Sequence, residues 1–174
     1  SAYRYLAYAR SVMEDSEGLT HIDSEGRPRM VDVSEKEQTA RHAVATGRII
    51  TSPEALKRIM TGDVKKGSVL QVAELAGIMG GKKTHDLIPL CHQLNGVNIT
   101  MRLEADPDLP GIVAQAEVTV TGQTGVEMEA LTAVSVALLT VYDMAKSMDR
   151  GMRIEGIRLL SKKGGRSGSW TSNE

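Results

Sequence analysis

Residues 127–148 read EMEALTAVSVALLTVYDMAKSM, and this stretch does most to decide the fold. Its middle is apolar on almost every side of a helix, which predicts a long helix that is buried on most of its faces. One stripe at spacings of three and four begins at Glu129 and ends at Asp143 and Lys146. We therefore expect a central helix from Glu127 to about Met148 with charged groups at both ends.

The charged ends of this helix allow two interpretations. An acid at the start and a base at the end are ordinary, because the helix dipole favours both, and Asp143 can pair with Lys146 on the same helix. If Glu129 and Asp143 both have functions, they cannot line one small pocket of one subunit. Fourteen residues of straight helix separate them, which is about 21 Å. The site is then shared between two chains, or there are two sites.

The remaining elements predict an α+β fold, because strands and helices are mixed without strict alternation. Apolar and polar residues alternate along 97–103 and 112–120, which predicts an antiparallel hairpin across the turn at 106–110. Two further strands are expected at 44–50 and 152–160, with Gly156 as a bulge. Ser52-Pro53 predicts the start of a helix that ends near Met60, and a second helix is expected over 69–78, ended by Gly80-Gly81.

Composition excludes several classes of protein. The 174 residues suit one domain with its own core, which contains no Phe and must be built from aliphatic residues and nine Met. The single cysteine excludes an internal disulfide and fits a reducing compartment. No uncharged apolar run reaches about 18 residues, so we expect a soluble intracellular protein without a membrane segment. The net charge of −1 does not require a nucleic acid, but six bases against one acid over 150–166 predict a local anion site.

Three short motifs resemble known functional motifs but do not match them in detail. Gly80-Gly81-Lys82-Lys83-Thr84 fails the phosphate-binding loop pattern at two positions and is more typical of a helix end. Cys91 and His92 are neighbours, but in an extended segment they would point to opposite faces and could not form a nucleophilic pair. One Cys and four scattered His match no zinc-ligand spacing.

In order along the chain, the motifs resemble one family, the cyclic pyranopterin monophosphate synthases (MoaC type). The resemblance runs from Leu19 to Gly168. It rests on the following segments: MVDV at 30–33, KKG at 65–67, AGI at 76–78, LIPLCH at 87–92, TGVEMEALTAVSVALLTVYDMAK at 124–146 and RLLSKKGGRSG at 158–168. Small departures occur at Gly80-Gly81, His85, Gln93 and Ala145. The expected domains are an extension at 1–18 (a tag or linker), a catalytic domain at 19–168 and a tail at 169–174.

The resemblance implies a ferredoxin-like antiparallel sheet with helices packed on one face, and a hexamer of three dimers with sites between subunits. It also implies a phosphorus–oxygen lyase of molybdenum cofactor biosynthesis. The substrate would be 3',8-cyclo-7,8-dihydroguanosine 5'-triphosphate from the preceding radical enzyme, and the products cyclic pyranopterin monophosphate and pyrophosphate. No cofactor, metal, nucleic acid or membrane is expected to take part. The implied location is the cytoplasm, or an organellar matrix in a eukaryote.

The resemblance also implies roles for individual residues. Lys66, Asp143 and Lys146 would be catalytic and would carry the proton transfers of the ring rearrangement. Substrate-contacting segments would be Leu90 to His92 and Glu127 to Glu129, with Met128 between the two acids. The basic residues expected near the triphosphate are Arg41, Lys82, Lys162 and Arg166. The alternative is a non-catalytic nucleotide- or RNA-binding ferredoxin-like oligomer, although the sequence lacks the aromatic platform on which such modules stack bases.

Overall fold

The computed structural model describes residues 20–62 and 68–173, and it divides the chain into two compact units at Asp32 and Val33. In the first unit the described residues form a tight turn, in which the Asp23 carboxylate accepts hydrogen bonds from the backbone N–H groups of Glu25 and Arg27 at 2.9 Å. An isolated bridge joins Ile22 to Pro28 across this turn. The expected extension at 1–18 lies outside the described residues, as does Lys66.

The second unit has an α+β fold built on a five-stranded antiparallel sheet. Along the chain its elements are β1 (Thr39–Ile50), α1 (Pro53–Met60), α2 (Val69–Gly81), α3 (Thr84–Leu87), β2 (Asn98–Asp106), β3 (Gly111–Gly122), α4 (Glu127–Ala145), β4 (Arg153–Lys163) and β5 (Trp170–Thr171). The strand order β2-β3-β1-β4-β5 places β1 between β3 and β4, which is the ferredoxin-like arrangement. Helices α2 and α4 pack on each other and on the sheet.

The central helix and the predicted hairpin are confirmed. Helix α4 begins at Glu127 and buries ten of its nineteen residues. By length and composition it could cross a membrane, but its buried face packs on the sheet, as in the core helix of a soluble protein. Strands β2 and β3 pair from Asn98↔Thr119 to Asp106↔Gly111, and Ala105 lies opposite Ile112.

Small side chains bring α2 very close to α4. A Cβ atom added at Gly80 would lie 2.6 Å from Cγ2 of Val136, and one at Gly81 would lie 3.0 Å from the backbone oxygen of Glu129. The helix ends at Gly81, as the glycine pair predicted, but it continues three residues beyond the expected Ile78 because both glycines belong to its last turn. Their missing side chains let the end of α2 lie directly on the first turn of α4.

Of three other expectations, two need adjustment and one is confirmed. Strand β1 begins at Thr39 rather than Val44, because its first residues pair with β3 from Thr39 onward and also with β4 from His42 onward. The bulge in β4 is confirmed: Gly156 has a φ of 65° and the register against β1 shifts between Thr46 and Arg48. The segment around Cys91 is a turn and not an extended strand, since the Cys91 N–H donates to the Ile88 carbonyl at 3.1 Å.

Candidate active site

A cavity of about 860 Å³ lies beside the start of α4. Its walls come from the segment before β1, the start of β1, the β3–α4 connection and the end of β4. Five lysines or arginines and three glutamates line it. These are Lys36, Arg41, Lys162, Lys163, Arg166, Glu35, Glu37 and Glu127. The excess of cations over carboxylates suits an anionic ligand.

Glycines at the end of β4 shape the basic wall of this cavity. Gly164 and Gly165 have φ angles of 101° and 76°, which L side chains rarely adopt. The Arg41 guanidinium lies directly over Gly165, where a side chain would collide with it. Arg41 is also held by hydrogen bonds from Nε to the Gly122 carbonyl at 3.2 Å and from Nη2 to the Gln123 carbonyl at 3.3 Å. The β3–α4 connection therefore holds Arg41, and the absence of a side chain at Gly165 leaves room for its guanidinium.

An ion pair joins α4 to β4 in the same wall. The Lys162 ammonium donates to the Glu127 carboxylate at 3.0 Å, and both side chains are roughly three-quarters buried. Lys162 faces the helices because it lies opposite the buried Ala43 in the sheet. The pair thus places one cation and one carboxylate, each partly desolvated, at the edge of the cavity.

A smaller cavity of about 220 Å³ lies on the other side of the first turn of α4. Glu129 lines it together with Lys82, Thr84, His85 and the 94–97 segment. Only 4% of Glu129 is exposed, and within the described residues its Oε2 atom has no hydrogen-bond partner. Burial raises the pKa of this carboxyl, its own backbone N–H lowers it, the nearby charge of Glu127 raises it, and His85 lowers it.

Cys91 belongs to the same neighbourhood. Burial raises the pKa of its thiol, and the charges of Glu129 and Glu127 raise it further. A raised pKa keeps the sulfur protonated, which makes it a poor nucleophile. The raised pKa therefore argues against a thiolate nucleophile at Cys91.

The other end of α4 is chemically different. Lys146 donates to the Asp143 carboxylate at 2.6 Å, and more than half of each side chain is exposed. Neither residue lines either of the two cavities. Helix α4 runs without interruption from Glu127 to Ala145, so about 21 Å separates Glu129 from Asp143 within one chain.

The sequence matches the MoaC family model over residues 30–165. The chain belongs to the MoaC family. It is 63% identical over 155 residues to a protein of Methylobacterium sp. (strain 4-46), covering 89% of this chain and 97% of that one. It is 64% identical over 150 residues to a protein of Methylobacterium nodulans, covering 86% and 94%. A protein of Chloroflexus aggregans is 53% identical over 156 residues, covering 90% and 94%. All three relatives are named cyclic pyranopterin monophosphate synthase.

The MoaC residues singled out from the sequence fall into three groups in space. Arg41, Glu127, Lys162 and Arg166 line the large cavity, and Lys82 and Glu129 line the small one. Asp143 and Lys146 form their ion pair at the far end of α4. Neither cavity is lined by the remaining described candidates. These are Leu90, Cys91 and His92, which are partly buried, and Met128, which is exposed. One chain thus brings six of the candidates to the first turn of α4.

Two histidines in these walls were not predicted as site residues. His42 lines the large cavity and its Nε2 lies 2.8 Å from Oε1 of Glu117 on the neighbouring strand β3. His85 lines the small cavity beside Glu129. The sequence did contain a signal for each, since His42 follows Arg41 and His85 lies three residues after Lys82. A histidine next to an expected phosphate-binding cation is a reasonable candidate for the same pocket.

Proposed function

We propose that this protein is a cyclic pyranopterin monophosphate synthase, a lyase that acts in molybdenum cofactor biosynthesis. It converts 3',8-cyclo-7,8-dihydroguanosine 5'-triphosphate, made by a preceding radical enzyme, into cyclic pyranopterin monophosphate and pyrophosphate. The observation that carries the proposal is the basic cavity at the start of α4, in a chain whose close relatives bear that enzyme's name. A cavity of about 860 Å³ lies in the range of small-ligand sites.

The charges around the large cavity suit a triphosphate. Arg41 is held by backbone carbonyls, so its guanidinium is oriented before a ligand arrives. Lys162 and Arg166 add cations from the end of β4. As a hydroxyl oxygen of the substrate bonds to the α-phosphorus to form the cyclic phosphate, the bond from that phosphorus to the oxygen bridging to the β-phosphate breaks, and negative charge grows on the departing pyrophosphate. Fixed cations stabilise that charge more than they stabilise the substrate.

The proton transfers of the ring rearrangement are assigned to Lys66, Asp143 and Lys146. Opening one C–N bond and closing another requires groups that can donate and accept protons near neutral pH. Asp143 bonds the Lys146 ammonium directly and can both orient it and accept a proton from it. Lys66 is assigned by its place in the KKG motif. Glu127, Met128, Glu129, Leu90, Cys91 and His92 contact the substrate in this proposal, and Lys82 faces it from the small cavity.

The complete site requires a second copy of the chain. About 21 Å of helix separates the pocket end of α4 from Asp143, so the partner's helix end must complete each cavity. The exposed surface offers a place for such a partner, because Val72, Leu75 and Met79 form an apolar stripe on α2. Leu139, 58% exposed, lies one turn before Asp143 on α4. A copy that covers Leu139 would lie beside Asp143, and three such dimers would make the proposed hexamer.

This reaction needs neither a membrane nor a nucleic acid, and we place it in the cytoplasm. The alternative, a non-catalytic nucleotide- or RNA-binding oligomer, has less support. Strands β1 to β4 contain no Phe, Tyr or Trp, so they lack the usual platform on which such modules stack bases.

The proposal is tested by incubating the purified protein with the cyclised dihydro-GTP. We expect stoichiometric release of pyrophosphate together with the cyclic phosphate product, measured by phosphorus NMR and by mass spectrometry. Heat-inactivated protein is the control for spontaneous breakdown of the substrate. Tight binding without turnover, or retention of RNA at physiological salt, would favour the non-catalytic alternative.

A further inference from the structure

A turn just before β1 forms one wall of the large cavity. The N–H of Lys36 donates to the Val33 carbonyl at 3.0 Å, which closes this turn at 33–36. Glu35, Lys36 and Glu37 all line the cavity. The wall therefore contains one cation between two acids, and its effect on a bound anion depends on which of these side chains faces inward.

Lys36 is the most enclosed of these three residues. It is partly buried, whereas Glu35 and Glu37 are exposed. Water and salt screen the two exposed carboxylates more than they screen a partly buried ammonium. Among the described residues Lys36 forms no ion pair, whereas the charge of Lys162 is offset by Glu127. With the turn in this orientation, Lys36 offers the cavity a positive charge that no carboxylate of the described chain neutralises.

The side-chain amide of Gln123 holds this turn. Gln123 directly follows the end of β3, and its Nε2 atom donates to the Ser34 carbonyl at 3.3 Å and to the Lys36 carbonyl at 3.1 Å. An amide nitrogen carries two N–H groups, so both donors are used by this one turn. Because the two acceptors lie on either side of Glu35, the hydrogen bonds fix the orientation of the turn as well as its distance from β3.

The backbone of Gln123 holds a second cation of the same cavity. Its carbonyl accepts a hydrogen bond from Nη2 of Arg41 at 3.3 Å. A substitution at Gln123 removes the side-chain amide but leaves this backbone carbonyl in place. The contact to the turn can therefore be removed while the contact to Arg41 is kept, which allows the two to be tested separately.

We propose that Gln123 is a positioning residue whose amide orients the turn at 33–36 so that Lys36, and not its acidic neighbours, faces a phosphate group in the large cavity. This inference rests on the proposed function, since it adds one phosphate contact to the triphosphate site. Gln123 acts through Lys36 in this account. Without the amide, the turn has to be ordered when the anion binds, and that cost lowers the affinity.

The test measures the binding of inorganic triphosphate to the full chain by isothermal titration calorimetry. Lys36→Met should raise Kd about tenfold or more, because one charge-assisted contact is lost. Gln123→Met keeps the length of the side chain without its donors and should raise Kd about threefold or more. The double variant should match Lys36→Met, because the amide then has no cation to position. An unchanged Kd in either single variant, or effects that multiply in the double variant, would overturn the proposal.

Gln115→Met is the matched control for loss of a glutamine amide. Gln115 is exposed on β3 and does not line the large cavity. Its substitution should therefore leave the Kd for inorganic triphosphate unchanged. A loss of affinity equal to that of Gln123→Met would mean that the effect is not specific to the turn, and it would also overturn the proposal.

A second measurement follows the turn itself, without any ligand. Hydrogen exchange of the backbone over 33–37, measured by mass spectrometry, should be faster in Gln123→Met than in wild type, because the turn opens more often. Lys36→Met keeps both acceptor carbonyls and should exchange like wild type. Equal exchange in Gln123→Met and wild type would contradict the proposal. If wild type makes no product but binding and exchange change as described, the synthase assignment fails and the role of Gln123 stands. If wild type makes product while Gln123→Met binds triphosphate normally, only the role of Gln123 fails.

Discussion

The two ends of helix α4 carry similar residues in opposite environments. At its start, Glu127 and Glu129 are mostly buried and border two cavities. At its end, Asp143 and Lys146 form an ion pair that is more than half exposed and lies outside both cavities. In an isolated chain only the first end borders either of these two cavities. Exposed ion pairs contribute little to stability. The Asp143–Lys146 pair is therefore better explained by a function in the assembled protein.

The exposed end should show the largest separation between activity and stability. Asp143→Asn and Lys146→Ala should each lower kcat by about 10²–10⁴-fold, because proton transfer by a positioned group contributes that much. The free energy of unfolding should change by less than about 1 kcal/mol. Stopped reactions with the cyclised substrate and chemical denaturation measure the two effects. Glu155→Ala is the matched control: it breaks the exposed Arg48–Glu155 pair and should leave both quantities nearly unchanged.

The pocket end should respond mainly in substrate binding. Lys162→Met keeps the length of the side chain but removes a cation from the large cavity and leaves Glu127 without its ion-pair partner. We expect KM to rise about tenfold or more, as is typical when one charge-assisted contact to a phosphate is lost. Lys57→Met on α1, outside both cavities, should not change KM. An unaltered KM in Lys162→Met would remove the large cavity from the proposed site.

The contact between α2 and α4 is expected to affect stability. Gly80→Ala places a methyl group against Val136 and should lower the free energy of unfolding by about 1–3 kcal/mol, measured by denaturant titration. Gly122→Ala is the matched control, since its Cβ would meet only Leu94 and Val120 at 3.6 Å and the Thr124 backbone oxygen at 4.0 Å. Equal stability of the two variants would mean that α2 and α4 are less closely packed than described.

The smallest effect concerns the buried carboxylate itself. The folded pKa of Glu129 is raised, so its ionisation opposes folding above the pKa of the unfolded chain, and that penalty disappears when the pH falls below this value. Glu129→Gln should therefore be somewhat more stable than wild type at pH 7 and no more stable near pH 4. Thermal unfolding at several pH values measures the difference. A greater advantage at pH 4 than at pH 7 would reverse the sign of this argument.

The pattern of side chains predicts the elements well and their ends less well. The alternation along β2 and β3 and the apolar middle of α4 predict these elements correctly, because each pattern reflects a face that is buried in the core. The sequence pattern missed five strand residues at the start of β1, Thr39 to Ala43, because their pairing with β3, and from His42 also with β4, is a property of the whole sheet. The Gly80-Gly81 pair does end α2, but both glycines lie inside its last turn, because packing against α4 outweighs the low helix propensity of glycine.

The sequence predicts the residue types of the candidate site better than it predicts which of these residues line the same cavity. The basic residues at 162–166 predicted an anion site, and four of the expected contact residues do line one cavity. No pattern in the sequence indicated that the small cavity would separate Glu129 from Glu127, because that depends on where the α2–α3 turn meets α4. Helix spacing alone, however, already showed that Asp143 cannot reach the same pocket within one chain.

The most direct test of this account is complementation between subunits. Inactive Glu129→Ala and inactive Asp143→Ala chains are unfolded together, refolded together and assayed over a range of mixing ratios. If each site takes Glu129 from one chain and Asp143 from its partner, an equal mixture should recover about one quarter of wild-type activity, since half of the dimers are mixed and each has one intact site. No recovery at any ratio, in oligomers that mass spectrometry shows to contain both chains, would contradict the shared site.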